Sequence, residues 1–160
     1  MQIRKCKDEE IICTGEFYDN IVKYLDEHIN YPRWIYQVYP SIDSVMEMTK
    51  EKSQYICIYD KRIIGAFVLN NQSQGKYSKG KWSKDLPEES YMVIHALAID
   101  HEMQGCGIAS KIIKFSIGKA KEEGYESIRV NIVPDNIPAK KLFEKNGFEY
   151  VGDVDLELYW

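Results

Sequence analysis

Several chemistries are missing from this sequence. It has four cysteines (Cys6, Cys13, Cys57 and Cys106) but no pair at Cys-x-x-Cys spacing. That pattern indicates neither a zinc site nor a disulfide framework, and it predicts no metal and reduced thiols in a cytoplasmic compartment. No stretch approaches the ~20 consecutive apolar residues of a membrane span. Met1-Gln2-Ile3-Arg4-Lys5 leads into no apolar run of signal-peptide length, so neither export nor a membrane partner is expected. No basic block is present, and the formal net charge of −4 is spread along the chain, which argues against nucleic acid as a partner. Internal repeats and low-complexity tracts are absent as well. What remains is 160 residues, 44% hydrophobic and 29% charged, the composition of one folded domain over residues 1–160 that acts as an enzyme or a binding module.

Periodicity predicts the elements. Gln2 to Cys6 reads as a short strand, and Asp8 to Ile29 as a helical region in which Phe17, Ile21, Leu25 and Ile29 form one stripe and Gly15 weakens or bends the helix. Ser41 is placed to cap a second helix running to about Lys50. Gln54 to Tyr59 and Arg62 to Leu69 form a hairpin across Asp60-Lys61. Asn70 to Glu89 reads as one long loop carrying Tyr77 and Trp82. Ser90 to Ile99 is a nearly continuous apolar run, expected of a strand buried on both faces at the sheet's centre. A helix from about Gly107 to Glu123 ends at Gly124, Ser127 to Val133 is a buried strand, and Pro138 to Asn146 is a helix closed by Gly147. Phe148 to Val151 and Leu156 to Tyr159 would add a final hairpin. The order predicts an α+β domain with a mixed, mostly antiparallel sheet flanked by helices and a parallel pair at strands 90–99 and 127–133.

One loop stands out. After the strand ending at Ile99 come Gln104, Gly105, Cys106, Gly107, Ile108, Ala109 and Ser110, the last of these inside a helix. Glycines let backbone N–H groups approach an anion, and a helix start adds positive dipole and unpaired donors. Glycines also serve ordinary tight turns. The loop is not a P-loop, since no Gly-Lys-Ser/Thr exists, and Ser110 stands where a dinucleotide fingerprint requires glycine.

Here the sequence resembles the GNAT superfamily of acetyltransferases. Gln104-Gly105-Cys106-Gly107-Ile108-Ala109 matches its Arg/Gln-x-x-Gly-x-Gly/Ala pyrophosphate motif. Asn136-Ile137-Pro138-Ala139 followed by Leu142-Phe143-Glu144-Lys145-Asn146-Gly147-Phe148 is similar to its N-x-x-A-x-x-L-Y-E-K-x-G-F signature. The resemblance is firm from Ser90 to Phe148 and weak over Met1 to Lys50. It implies acetyl-CoA as cosubstrate, with Gln104 to Ser110, Asn136 and Phe143 toward the coenzyme. It also implies that the two parallel strands splay, so that backbone N–H groups of Leu97, Ala98 and Ile99 bond the pantetheine arm and an oxyanion. Such preorganised donors are worth roughly 3 to 4 kcal/mol each.

An amine attacks a thioester only as the free base. His95, inside the apolar strand, is the candidate acceptor of its proton, because an unperturbed pKa of ~6.5 suits transfer near neutrality. The other reading is a core histidine held by a hydrogen bond. The family's alternative site for a carboxylate base is occupied by Asn131, which strengthens the case for His95. The family's usual general acid, the tyrosine of its second signature, is replaced by Phe143. Cys106 has no adjoining base and is left out of the chemistry. Tyr31, Trp34 and Trp82, among other aromatics, are candidates for holding a cationic acceptor, with Asp26 or Glu27 as charge partners; half-exposed packing between helices accounts for them equally well. The resulting expectation is transfer of an acetyl group to a small-molecule or peptide amine by a monomer or homodimer. The alternatives are a different acyl group, or an acyl-CoA-binding module without turnover.

Overall fold

Residues 1–72, 87 and 90–152 are described by the computed structural model. The elements are β1 (Gln2–Lys5), a single 3-10 turn at Asp8–Glu10, α1 (Ile11–Glu27), α2 (Ile42–Lys50), β2 (Gln54–Tyr59), β3 (Arg62–Asn70), β4 (Met92–Ile99), a 3-10 turn at His101–Met103, α3 (Ile108–Glu122), β5 (Ile128–Val130) and α4 (Ile137–Lys145). Local chemistry sets most boundaries. Ser41 accepts a hydrogen bond from the Ser44 N–H and starts α2. Asp60 and Lys61, both at positive φ, make the tight turn between β2 and β3. Gly124 at φ 82 ends α3, where Gly124 N–H bonds Lys121 and Tyr125 N–H bonds Ala120, the paired bonds of a Schellman cap.

The described strands form one mixed sheet in the order β1-β2-β3-β4-β5, antiparallel except for the parallel β4–β5 pair. One face packs Tyr18, Ile21 and Val45 from α1 and α2 against Ile56, Ala66 and Ala98. The other packs Ile108, Ile112 and Ile113 of α3 and Phe143 of α4 against Tyr55, Phe67 and Ile94. Full burial of each such side chain contributes about 1.5–3 kcal/mol, so both faces are anchored.

The structure corrects several expectations. β3, not β4, is the middle strand of the described sheet, and β4 starts at Met92. β1 stops at Lys5. The buried stripe of α1 centres on Tyr18, Ile21 and Val22, while Ile29 lies beyond the helix end and is 59% exposed. β5 has only three residues, because its partner strand turns away, and Phe148 to Val151 form no strand. Leu156 to Tyr159 and most of the long loop, with Tyr77 and Trp82, lie outside the described residues.

Gly15 neither breaks nor ends α1. A Cβ placed there would come within 2.9 Å of the Ile42 Cβ and 3.0 Å of its Cα, so glycine is what lets the start of α2 approach α1. Gly118 in α3 has nothing within 4 Å of the same position. Replacing helical glycine by alanine gains about 1 kcal/mol, while overpacking costs about 1–3 kcal/mol. Urea denaturation is therefore expected to show Gly118→Ala more stable by roughly 0.5–1 kcal/mol, and Gly15→Ala less stable despite the same propensity gain.

Candidate functional site

β4 carries an extra residue. Ala66 pairs Ala98 while Val68 pairs His95, so β3 spends two residues where β4 spends three. Ala96 takes φ 49, a conformation that a residue bearing a Cβ adopts at a cost of about 1 kcal/mol or more. The fully buried Tyr18 offsets this strain by donating its O–H to the Ala96 carbonyl at 2.8 Å, and Gln54 Nε2 donates to the same phenol oxygen at 3.3 Å. The bulge reverses side-chain alternation: Met92 and Ile94 share a core face with Leu97 and Ile99, not with Ala96 and Ala98.

The parallel ladder ends at Ile94↔Val130, although β4 continues to Ile99. Beyond that pair the two chains part around a cavity of about 770 Å³. Its walls are Ile94 to Leu97 and Ile99, Val130 to Val133, the start of α3, the inner side of α4, and the connection between α1 and α2. That volume suits a ligand of cofactor size.

At one end, Gly105 and Gly107 lie at φ 80 and 77 with nothing within 4 Å of a Cβ at either, so the loop is open toward the cavity. Gly107 caps α3 without any side-chain acceptor, and the first turn holds no acid. The N–H groups of this turn therefore keep the donors and positive dipole that an anion needs. α2 and α4 differ, for Ser41 and Asn136 cap them from their own side chains. Lys145 adds a cation to the same wall, and Asn146 Nδ2 donates to Ser110 Oγ at 3.2 Å, tying α4 to the start of α3.

His95 lines the cavity near the bulge. Its Nε2 lies 3.0 Å from Asn70 Oδ1 and 3.0 Å from the Gln72 carbonyl. The Gln72 N–H donates to the same Asn70 oxygen, so both partners of Nε2 are acceptors. Nε2 therefore carries the hydrogen and Nδ1 holds the lone pair. Burial pushes the imidazole down to about 4, only partly opposed by the bond to Gln72. Burial thus moves His95 below the unperturbed value near 6.5 and favours its neutral form at pH 7.

Of the residues singled out in the sequence, His95, Leu97, Ile99, Gln104, Gly105, Gly107, Ile108, Ala109, Ser110, Asn136, Phe143 and Trp34 come together on this cavity. Ala98 is buried on the opposite face of the sheet, Cys106 is exposed outside the wall, and Tyr31 does not line it. Trp82 lies outside the described residues. Asp26 and Glu27 are not in the wall, and Asp26 accepts from Asn30 instead. Asn131 is in the wall opposite β4. Phe143 is 5% exposed and packs edge-on against Phe148, with centroids 5.0 Å apart. Reading the sequence missed Tyr18 and Asn70. Asn70 was legible in principle, since the β3–β4 hairpin pairs it with Val93, two residues from His95. Among the described residues no group of His, Cys, Asp or Glu is arranged to hold a metal, and no helix is long and apolar enough to cross a membrane.

A family model described as the acetyltransferase (GNAT) family matches residues 21–148. A GNAT-family acetyltransferase from Streptococcus agalactiae 2603 superposes with a TM-score of 0.80 at 18% identity, covering 98% of this chain and 89% of that one. Another from Listeria monocytogenes 4b F2365 gives 0.77 at 10% identity, covering 97% and 90%. The aminoglycoside N-acetyltransferase AAC(6')-Iy in complex with CoA gives 0.67 at 14% identity, covering 99% of each chain. At these identities the likeness establishes the fold.

Two measurements test the site's construction. Tyr18→Phe removes the donor to the Ala96 carbonyl, while Gln54 Nε2 keeps its bonds to the Tyr55 and Phe67 carbonyls, and is expected to cost about 1–3 kcal/mol in urea denaturation while shifting the Ala96 and Leu97 amide resonances. NMR titration is expected to place His95 near pH 4. With the folded value below the unfolded one, the unfolded chain binds the proton first. Stability should therefore fall between about pH 6.5 and 4, and this component should vanish in His95→Gln.

Proposed function

The chain belongs to the acetyltransferase (GNAT) family, and from that premise we propose that residues 1–160 act as a single N-acetyltransferase domain moving the acetyl group of acetyl-CoA to a primary amine in a ternary complex. The observation that carries this reading is the open cleft between β4 and β5, with an uncapped, acid-free helix start at one end and a neutral histidine along it. The acetyl-CoA supplies the thioester. In this proposal the amides from Gly105 to Ser110, with Lys145, hold its diphosphate, and Asn136 and Phe143 border it from α4. The backbone of Leu97 to Ile99, released from β5, orients its arm and donates to the developing oxyanion.

His95 Nδ1 takes the proton of the attacking ammonium, directly or through water. The C–N bond then forms, the nitrogen gives up its second proton to solvent as the C–S bond breaks, and the coenzyme leaves as a thiolate that draws its proton from solvent. No nucleophile on the protein takes part. Free cysteines and the absence of a spanning helix among the described residues support a cytoplasmic protein, acting as a monomer or homodimer. A second reading, an acyl-CoA-binding module without turnover, is favoured by Phe143 at the place of the family's tyrosine and by the weak basicity of His95.

Thiol release from acetyl-CoA across an amine panel separates the two. Turnover is expected, reduced at least about 100-fold by His95→Gln and unaffected by Cys106→Ala. Acetyl-CoA binding with no thiol release on any amine would establish the binding module. A burst of one thiol per chain that disappears in Cys106→Ala would instead require a covalent route. Because His95 is already unprotonated at pH 6 and the proton it takes arrives on the ammonium, kcat/KM is expected to stay level from about pH 6 to about pH 8, showing no break near 6.5.

A further inference from the structure

The two ends of the cavity differ in chemistry. The α3 end is backbone amide and Lys145. The other end is built by the connection between α1 and α2, which contributes Trp34, Ile35, Val38 and Tyr39. Trp34 is held edge-on by Tyr18, with ring centroids 6.3 Å apart, and so stands on the same buried phenol that pins the bulge. Ile35, Val38 and Tyr39 are 40%, 64% and 39% exposed, large side chains that nothing in the fold fully covers.

Charge is equally one-sided. Among the described residues that line the cavity none is Asp or Glu, and the charged ones are Arg33 and Lys145, both cationic. Asp135, at the rim, is already engaged by Arg33 at 3.0 Å, an ion pair that joins the α1–α2 connection to the entrance of α4. An ammonium drawn into this end loses water and gains no counter-ion from the described residues of the wall. The reacting nitrogen tolerates that, since it must shed its proton to attack, and desolvation favours its neutral form. A second ammonium on the same molecule has no such escape.

We infer that the acceptor is a monoamine with an apolar, preferably aromatic, body, and that polycationic amines are selected against. This rests on the transfer reading for its kinetic form, and on the cavity wall alone for its binding form.

The test uses the full chain with saturating acetyl-CoA and four acceptors: 2-phenylethylamine, hexylamine, spermidine and neamine. The two apolar monoamines are expected to exceed the two polycations by at least about 100-fold in kcat/KM. Val38→Glu places a carboxylate at an exposed position of the wall and is expected to narrow the ratio at least tenfold by raising the spermidine value. Equal or reversed preference in the parent chain, or an unchanged ratio in Val38→Glu, would overturn the inference. If no amine releases thiol, the transfer reading fails, and the wall is judged by calorimetric titration of the same amines into the coenzyme A complex. There, at least tenfold tighter binding of the monoamines supports the inference, and equal or tighter binding of spermidine overturns it.

Discussion

The hydrogen bond from Tyr18 to the Ala96 carbonyl is the interaction on which the site depends. A left-handed alanine inside a strand is unfavourable by itself, and the extra residue it accommodates interrupts the ladder with β3. A buried phenol accepting from Gln54 and donating to that carbonyl makes the distorted strand the satisfied arrangement. The consequences follow in order. The bulge moves Leu97 and Ile99 onto the face of α3, turns β4 out of line with β5 after Ile94, and opens the cavity between them.

The same phenol couples the two halves of the cavity. It fixes the backbone next to His95, and its ring supports Trp34 at the far end. α1 is held against α2 through the close approach at Gly15, so the segment joining these helices starts from a fixed base. A residue of the first helix thereby positions the strand that faces the loop at Gly105 and Gly107, from the part of the chain where the family resemblance is weakest.

What the sequence revealed, and what it hid, divides along this line. Ser41, Gly124, Asn136 and the glycines at 105 and 107 act on backbone groups within a few residues, so their roles could be read from spacing. The apolar runs located the strands because burial on both faces leaves a local record. The bulge had no such record, since alanine at 96 looks like any small residue in a strand, and its partner lies 78 positions earlier in the chain. The over-long expectation for β5 has the same origin, since a strand's length depends on its neighbour's path as well as its own residues. The expected stripe in α1 holds at Ile21 but is off-centre, because Tyr18 and Val22 are fully buried while Phe17 and Leu25 pack on the core only partly buried, and a tyrosine is an ambiguous marker of burial. Trp34 was identified and Tyr31 was not confirmed in the wall, because aromatic content says nothing of direction in an irregular segment.

On the proposed reading, one physical effect accounts for the electrostatics at both reactive partners. Burial holds the His95 imidazole neutral, and the apolar, acid-free wall presses an entering ammonium toward its free base. A histidine with a value near 4 is a weak base in water, but the comparison that matters is between two groups in the same desolvated site, and there the ammonium's acidity rises as well. Proton transfer between them creates no net charge in the cleft. The leaving group needs less help, because a thiol with an ordinary pKa of ~8.5 departs tolerably as thiolate. That is why phenylalanine at position 143 fits such a site. Its ring lines the cavity and packs on Phe148. In the proposed transfer, excluding water from the cleft there would strengthen the backbone donors of β4 toward a developing oxyanion.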